Sequence, residues 1–105
     1  MVTPDQALSL LAHHIGKGNG IGVKQLAQQL GIVERRARKI ISDLRQEGHA
    51  VCGTPADGYY IAATADELER TCAFLHRRAL HSLTLEARLK KIPLADLLGQ
   101  LHLPT

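Results

Sequence analysis

The sequence predicts a mainly helical fold with one β-hairpin and a long helix near its C-terminus. Three observations carry this expectation. Apolar residues recur at three- and four-residue spacing through most of the chain. Between His49 and Ala63 that period gives way to two strand-like runs around a cluster of turn residues. Aromatics are scarce, Phe74, Tyr59 and Tyr60 with no Trp, so the core must come from Leu, Ile, Val and Ala, which suits packed helices. The 105 residues allow one domain of about 100 residues and not two comfortable ones. Apolar residues make up 45% and charged ones 22%, a balance that favours a packed core over disorder.

"TPDQALSLLAHHIGK" starts a helix. Thr3 suits the N-cap, Pro4 the first helical position, and Gln6 completes a capping box; Leu8, Leu11, Ala12 and Ile15 form its apolar stripe. "GKGNGIG" ends it as a flexible connector, with Ile21 a one-rung strand or plug. The loop lacks the Gly-Lys-Ser/Thr ending of a phosphate cradle. "VKQLAQQL" is a short second helix stopped by Gly31, and "VERRARKIISDLRQE" a third, stopped by Gly48. In "HAVCGTPADGYYIAA", Val51 and Tyr59–Ile61 read as strands, with Pro55, Asp57 and Gly58 supplying the turn. Thr64 and Glu67 form a second capping box opening the long helix "ADELERTCAFLHRRALHSLTLEARLKK". Its expected apolar stripe is Leu68, Cys72, Leu75, Ala79 and Leu83, with Phe74 pointing elsewhere. Pro93 breaks or restarts the helix, and Leu94, Leu97, Leu98 and Leu101 share one side of the last helical segment.

Helix, helix, glycine turn, helix, hairpin is the order of a winged helix-turn-helix, in which the second helix braces a third that lies in the DNA major groove. Ala27 supplies the small residue at the helix crossing and Gly31 the turn, while Leu26, Leu30, Ile32, Ala37 and Ile40 fill the apolar contact positions. Charge agrees. Residues 17–45 hold seven Lys/Arg and two acidic residues, and the remainder six basic and eight acidic. The positive excess therefore sits in one third of the chain, as in a nucleic-acid footprint.

"LGIVERRARKIISDLRQEGHAVCGTPADGYYIA" resembles the winged helix at the front of biotin operon repressors and of small prophage-encoded regulators. The matching pieces are Leu44-Arg45, Gly48, Val51, Pro55 and Gly58-Tyr59, and "DELERTCAFLHRRA" resembles the helix that the prophage regulators add. The resemblance covers residues 24–62 by motif and about 5–80 in type. It implies DNA binding, often as a dimer, and no biotin chemistry, since no ligase domain is present. The tip "TPADG" departs from the pattern: it has no Lys or Arg, and Asp57 would sit near phosphates, so the hairpin is expected mainly to cover the core.

With Ala37, Ile40, Ile41 and Leu44 facing inward, the outer side of the third helix carries Glu34, Arg35, Arg38, Lys39 and Ser42, with Arg36 at its edge. Arg35 and Arg38 are expected to grip guanine edges bidentately, and Glu34 to accept from a cytosine amino group or orient an arginine. Lys24, Arg36, Lys39 and Arg45 are expected on phosphates, which position without specifying. A solvated face laced with ion pairs is the plainer alternative.

Other constellations are weaker. His49, Cys52, Cys72 and His76 have zinc-type spacing, but a closed site needs all four to converge. Cys72 on the apolar stripe is more simply a buried core residue. Ser42, Ser82 and the histidines form no nucleophile–base–orienter set, so neither an enzyme nor a cofactor is expected. The two cysteines are no disulfide framework. No apolar run approaches the roughly 20 residues of a membrane span, and "MVTPDQALSL" lacks a signal peptide's features, so a cytoplasmic location is expected. Two parts are anticipated and packed as one unit: a DNA-binding part over 1–63 and a helical extension over 64–105. Phe74, Leu94, Leu97, Leu98 and Leu101 are the candidate homodimer interface, the alternative being that the tail folds back on the first helix. The leading expectation is a prokaryotic or phage transcriptional regulator bound to double-stranded DNA. A protein-interaction module in a phage replication or packaging assembly is the rival.

Overall fold

Thr3 begins the first helix as its chemistry requires. Its hydroxyl accepts the Gln6 N–H at 3.3 Å and its own N–H donates to Gln6 Oε1 at 2.9 Å, so two otherwise orphan donors are satisfied reciprocally. The computed structural model describes residues 2–101. In order these form α1 (Pro4–Leu11), a single 3-10 turn (Lys17–Asn19), α2 (Val23–Leu30), α3 (Glu34–Gln46), β1 (Val51–Thr54), β2 (Gly58–Ile61), α4 (Ala65–Lys90) and α5 (Leu94–Gln100). The described chain is thus mainly helical, with one two-stranded antiparallel hairpin. Two compact units are present, Met1–Thr71 and Cys72–Thr105, dividing inside α4.

In the first unit the core is aliphatic. Ala7 and Leu11 of α1, Leu26 and Ala27 of α2, Ala37, Ile40, Ile41 and Leu44 of α3, and Ile21 and Val51 form one buried cluster. α2 ends at Gly31 (φ 70°, ψ 34°). There the Gly31 N–H bonds the Gln28 carbonyl at 3.2 Å and the Ile32 N–H the Ala27 carbonyl at 3.0 Å, the paired bonds of a Schellman turn. Only glycine takes that left-handed backbone without a side-chain clash. This turn sets α3 against α2, leaving Leu30 and Ile32 half-buried beside the cluster.

The hairpin pairs Val51 with Ile61, Cys52 with Tyr60, Gly53 with Tyr59 and Thr54 with Gly58. Ile21 adds a single rung to the free edge of β2, exchanging two 2.8 Å bonds with Tyr59. α1 stops at Leu11, earlier than its stripe suggests, because the chain peels away to join the same strand. The Gly16 N–H donates to the Ile61 carbonyl and the Ile61 N–H to that of His14. Ile15, expected on the stripe, is consequently 50% exposed.

α4 enters with a face that hydropathy does not foresee. The expected stripe is largely outside: Leu68, Cys72, Leu75 and Ala79 are exposed and Leu83 is half-buried. In the first turns of α4 Thr71 is the buried residue instead, its hydroxyl accepting the Gly53 N–H at 3.2 Å. Burial raises the Tyr60 hydroxyl above its ordinary pKa of 10.0, opposed by a hydrogen bond with Thr71. One turn earlier, Glu67 accepts the Lys17 N–H at 2.9 Å and the Ala63 N–H at 2.7 Å. The capping box at Thr64 is therefore half formed. Its hydroxyl takes the Glu67 N–H, while the carboxylate reaches past Thr64 to fasten the glycine loop.

Those donors hold the Glu67 carboxyl below its ordinary 4.5, the Lys17 and Ala63 N–H groups being the main causes. A depressed carboxylate pKa adds stability that is present above the unfolded value and lost as pH falls through the folded one. We expect the melting temperature to fall as pH drops below about 4.5. Glu67→Gln should melt lower at pH 7 and lose less on acidification, measured by thermal circular dichroism. Equal pH profiles for the two proteins would contradict this role.

In the second unit, Lys91 takes a left-handed backbone (φ 57°). The Lys91 and Ile92 N–H groups bond Arg88 and Ala87 at 3.1 and 3.0 Å, another Schellman turn, here without glycine. Pro93 then caps α5. Leu97 and Ala87 are buried. No helix among the described residues is long and apolar enough to cross a membrane.

Candidate nucleic-acid interface

α3 has two chemically opposite sides. Ala37, Ile40, Ile41 and Leu44 are at most 2% exposed, which fixes the rotation of the helix about its axis. Glu34, Arg35, Arg36, Arg38, Lys39 and Ser42 are all exposed. Lys24, near the start of α2, is exposed as well. The first unit holds eight basic and eight acidic side chains, so its positive potential is local to this face and not a property of the whole unit.

The cations on the face are not equivalent. Arg38 pairs with Glu34 at 3.6 Å and Lys39 with Asp43 at 2.7 Å, each one turn apart on the helix. Exposed pairs of this kind contribute about 0.3–0.5 kcal/mol, too little to hold Arg38 or Lys39 against a stronger anion. Arg35 and Arg36 have no carboxylate within ion-pair distance among the described residues.

Arg45 must be removed from the set of phosphate contacts. Its Nε–H donates to the Val51 carbonyl at 2.8 Å, and its guanidinium carbon lies 5.8 Å from the Tyr59 ring centroid. One terminal nitrogen is buried without a partner among the described residues. The side chain is thus a strut tying the last turn of α3 to both strands. Its flexible stem could have turned either way at the helix edge, and the Val51 carbonyl and the Tyr59 ring decide.

The zinc-type residues do not assemble. Cys52 is buried in β1 and Cys72 is exposed, against the expectation of a buried Cys72. His49 lies 3.7 Å from Glu47. Among the described residues no three His, Cys, Asp or Glu side chains converge. In the expected dimer surface, Leu97 is 1% exposed within its own chain and so drops out. Leu94 and Leu98 are half-buried, and Leu101 is 44% exposed. Phe74 is half-buried, with the Arg78 guanidinium 5.7 Å from its ring centroid. The leucines that α4 leaves open are Leu68, Leu75, Leu85 and Leu89, the last 84% exposed.

One exposed residue at the start of α3 escapes a reading of the sequence. Val33, the N-cap of α3, is 71% exposed; the only signal is an aliphatic residue where a capping oxygen belongs. No protein-family model, curated protein or solved structure matches the chain.

Proposed function

We propose that α2, α3 and the hairpin act as a winged helix-turn-helix and that the protein binds double-stranded DNA sequence-specifically. It would serve as a prokaryotic or phage-type transcriptional regulator that works in the cytoplasm by occupying its site. The observation that carries this reading is the α3 face. Its charged side is wholly exposed while its aliphatic side is locked into the core, so the cations project from a rigid support. α3 enters the major groove, Arg35 and Arg38 read base edges, and Lys24, Arg36 and Lys39 hold phosphates. A second copy completes the site, and the open leucines of α4 are its proposed contact, because apolar side chains left uncovered mark association surfaces.

Those same leucines favour one other reading, a winged-helix module that binds protein. Salt separates the two. A DNA binder contacting six or more phosphates loses about 10³–10⁵ in affinity between 50 and 200 mM salt. Selection of bound duplexes from a random pool, followed by a salt titration of the winner, is the test. A two-fold symmetric consensus with a steep salt slope is expected. Failure to enrich any sequence would sink the proposal.

A further inference from the structure

Val33, exposed at the N-terminal end of α3, obeys no structural rule. It holds the N-cap with an extended backbone (φ −75°, ψ 157°) and makes no side-chain cap hydrogen bond. Ser, Thr, Asp or Asn would satisfy a free N–H there and is the stabilising choice. Nor does Val33 serve the core: it is 71% exposed, while Ala37, one turn on, is fully buried. A β-branched side chain that neither caps nor packs breaks a local preference without structural return, and such breaks gather at functional positions.

Its surroundings define what it could touch. Glu34, Arg35 and Arg36 come directly after it and are all exposed. An apolar protein groove over Val33 would strand those charges away from water, at high cost. A polyanion that offers one small apolar group among its charges strands nothing. Thymine meets that description, its C5-methyl lying in the major groove between rows of phosphates.

We propose that Val33 is a specificity-determining contact whose isopropyl group packs on a thymine methyl, an inference that rests on the DNA-binding reading above. Removing one such methyl should weaken binding about three- to fivefold per half-site.

The test uses the full chain and the duplex enriched from the random pool. Each thymine is replaced in turn by deoxyuridine, which deletes only the methyl, and affinity is measured for wild type, Val33→Ala and Val33→Ser. One deoxyuridine position per half-site should weaken wild type by about three- to fivefold. Both variants should bind the thymine duplex with that weakened affinity and be indifferent to the same replacement. Val33→Ser, gaining a cap, should also melt several degrees higher than wild type. A purely structural role for Val33 would not move stability and affinity in opposite directions. If wild type tolerates every deoxyuridine, or Val33→Ser keeps the penalty, the Val33 assignment is wrong while salt-sensitive duplex binding stands. If no duplex is enriched, the DNA-binding reading itself has failed.

Discussion

Replacing Arg35 and Arg38 together by alanine is expected to remove most of the protein's preference among duplex sequences while leaving the fold intact. Each bidentate arginine–guanine contact provides about 1–3 kcal/mol of discrimination, so the pair should cost about 30-fold to 10⁴-fold at the preferred site. Binding to a scrambled duplex should fall far less, since only phosphate attraction acts there. Stability should barely change. Both side chains are exposed, the Arg38–Glu34 pair contributes about 0.3–0.5 kcal/mol, and alanine's helix propensity returns a few tenths per site. Arg36→Ala with Lys39→Ala is the informative control. It should weaken both duplexes about equally and shallow the salt slope by about 0.9 for each phosphate no longer neutralised. Fluorescence anisotropy on the two duplexes at several salt concentrations reads all of this. A double variant at Arg35 and Arg38 that keeps the wild-type ratio between duplexes would show that other groups read the bases.

The face at issue in that experiment is legible in the sequence because it depends on one helix. A four-cation cluster interleaved with Ala37, Ile40, Ile41 and Leu44 can be oriented only one way once the aliphatics are buried, and they are. Caps and breaks are equally local. Thr3 with Gln6, the glycine turn at Gly31 and Pro93 before α5 each act through chemistry within a few residues. What could not be read depends on partners far along the chain. Hydropathy turns Leu68 and Cys72 of α4 inward, yet the helix is set by two polar residues. Glu67 answers an N–H 50 residues away and Thr71 one 18 residues away. Thr71 gains more from burial than its polarity suggests, because it satisfies a Gly53 N–H that would otherwise be unpaired. Arg45 misleads for the same reason: nothing near it in sequence announces the Val51 carbonyl. Val33 is invisible for a different reason. Its oddity lies in what the backbone asks of that position, which appears only once α3 is seen to begin at Glu34.

Gly20→Ala is expected to destabilise the first unit strongly. The backbone at Gly20 is ordinary (φ −63°, ψ 151°), so strain in φ is not the reason. A Cβ there would run into the Asp57 carbonyl at the hairpin turn, backbone against backbone, and neither side can yield by rotating a side chain. Relief requires the loop to move off the hairpin, which pulls apart the two 2.8 Å bonds between Ile21 and Tyr59 and lifts Ile21 from the core. Overpacking costs about 1–3 kcal/mol and each broken bond about 0.5–1.5, so the change should cost about 2–6 kcal/mol. At about 4–8 °C per kcal/mol for a domain of this size, melting should fall by at least 8 °C. Gly22→Ala, two residues on, supplies the contrast. Nothing lies within 4 Å of its Cβ position. Alanine is a poorer N-cap than glycine for α2, but it also restricts the unfolded chain, and these effects nearly cancel, leaving a change within about 0.5 kcal/mol. Because Gly22 caps α2, the Ile21 rung fastens the start of that helix to the hairpin. Amide exchange at Ile21 and Tyr59 should therefore speed up in Gly20→Ala even well below its melting point. Should those two amides stay as protected as in wild type, the hairpin is not held to α2 through this rung, and the α3 face owes its orientation to the aliphatic cluster alone.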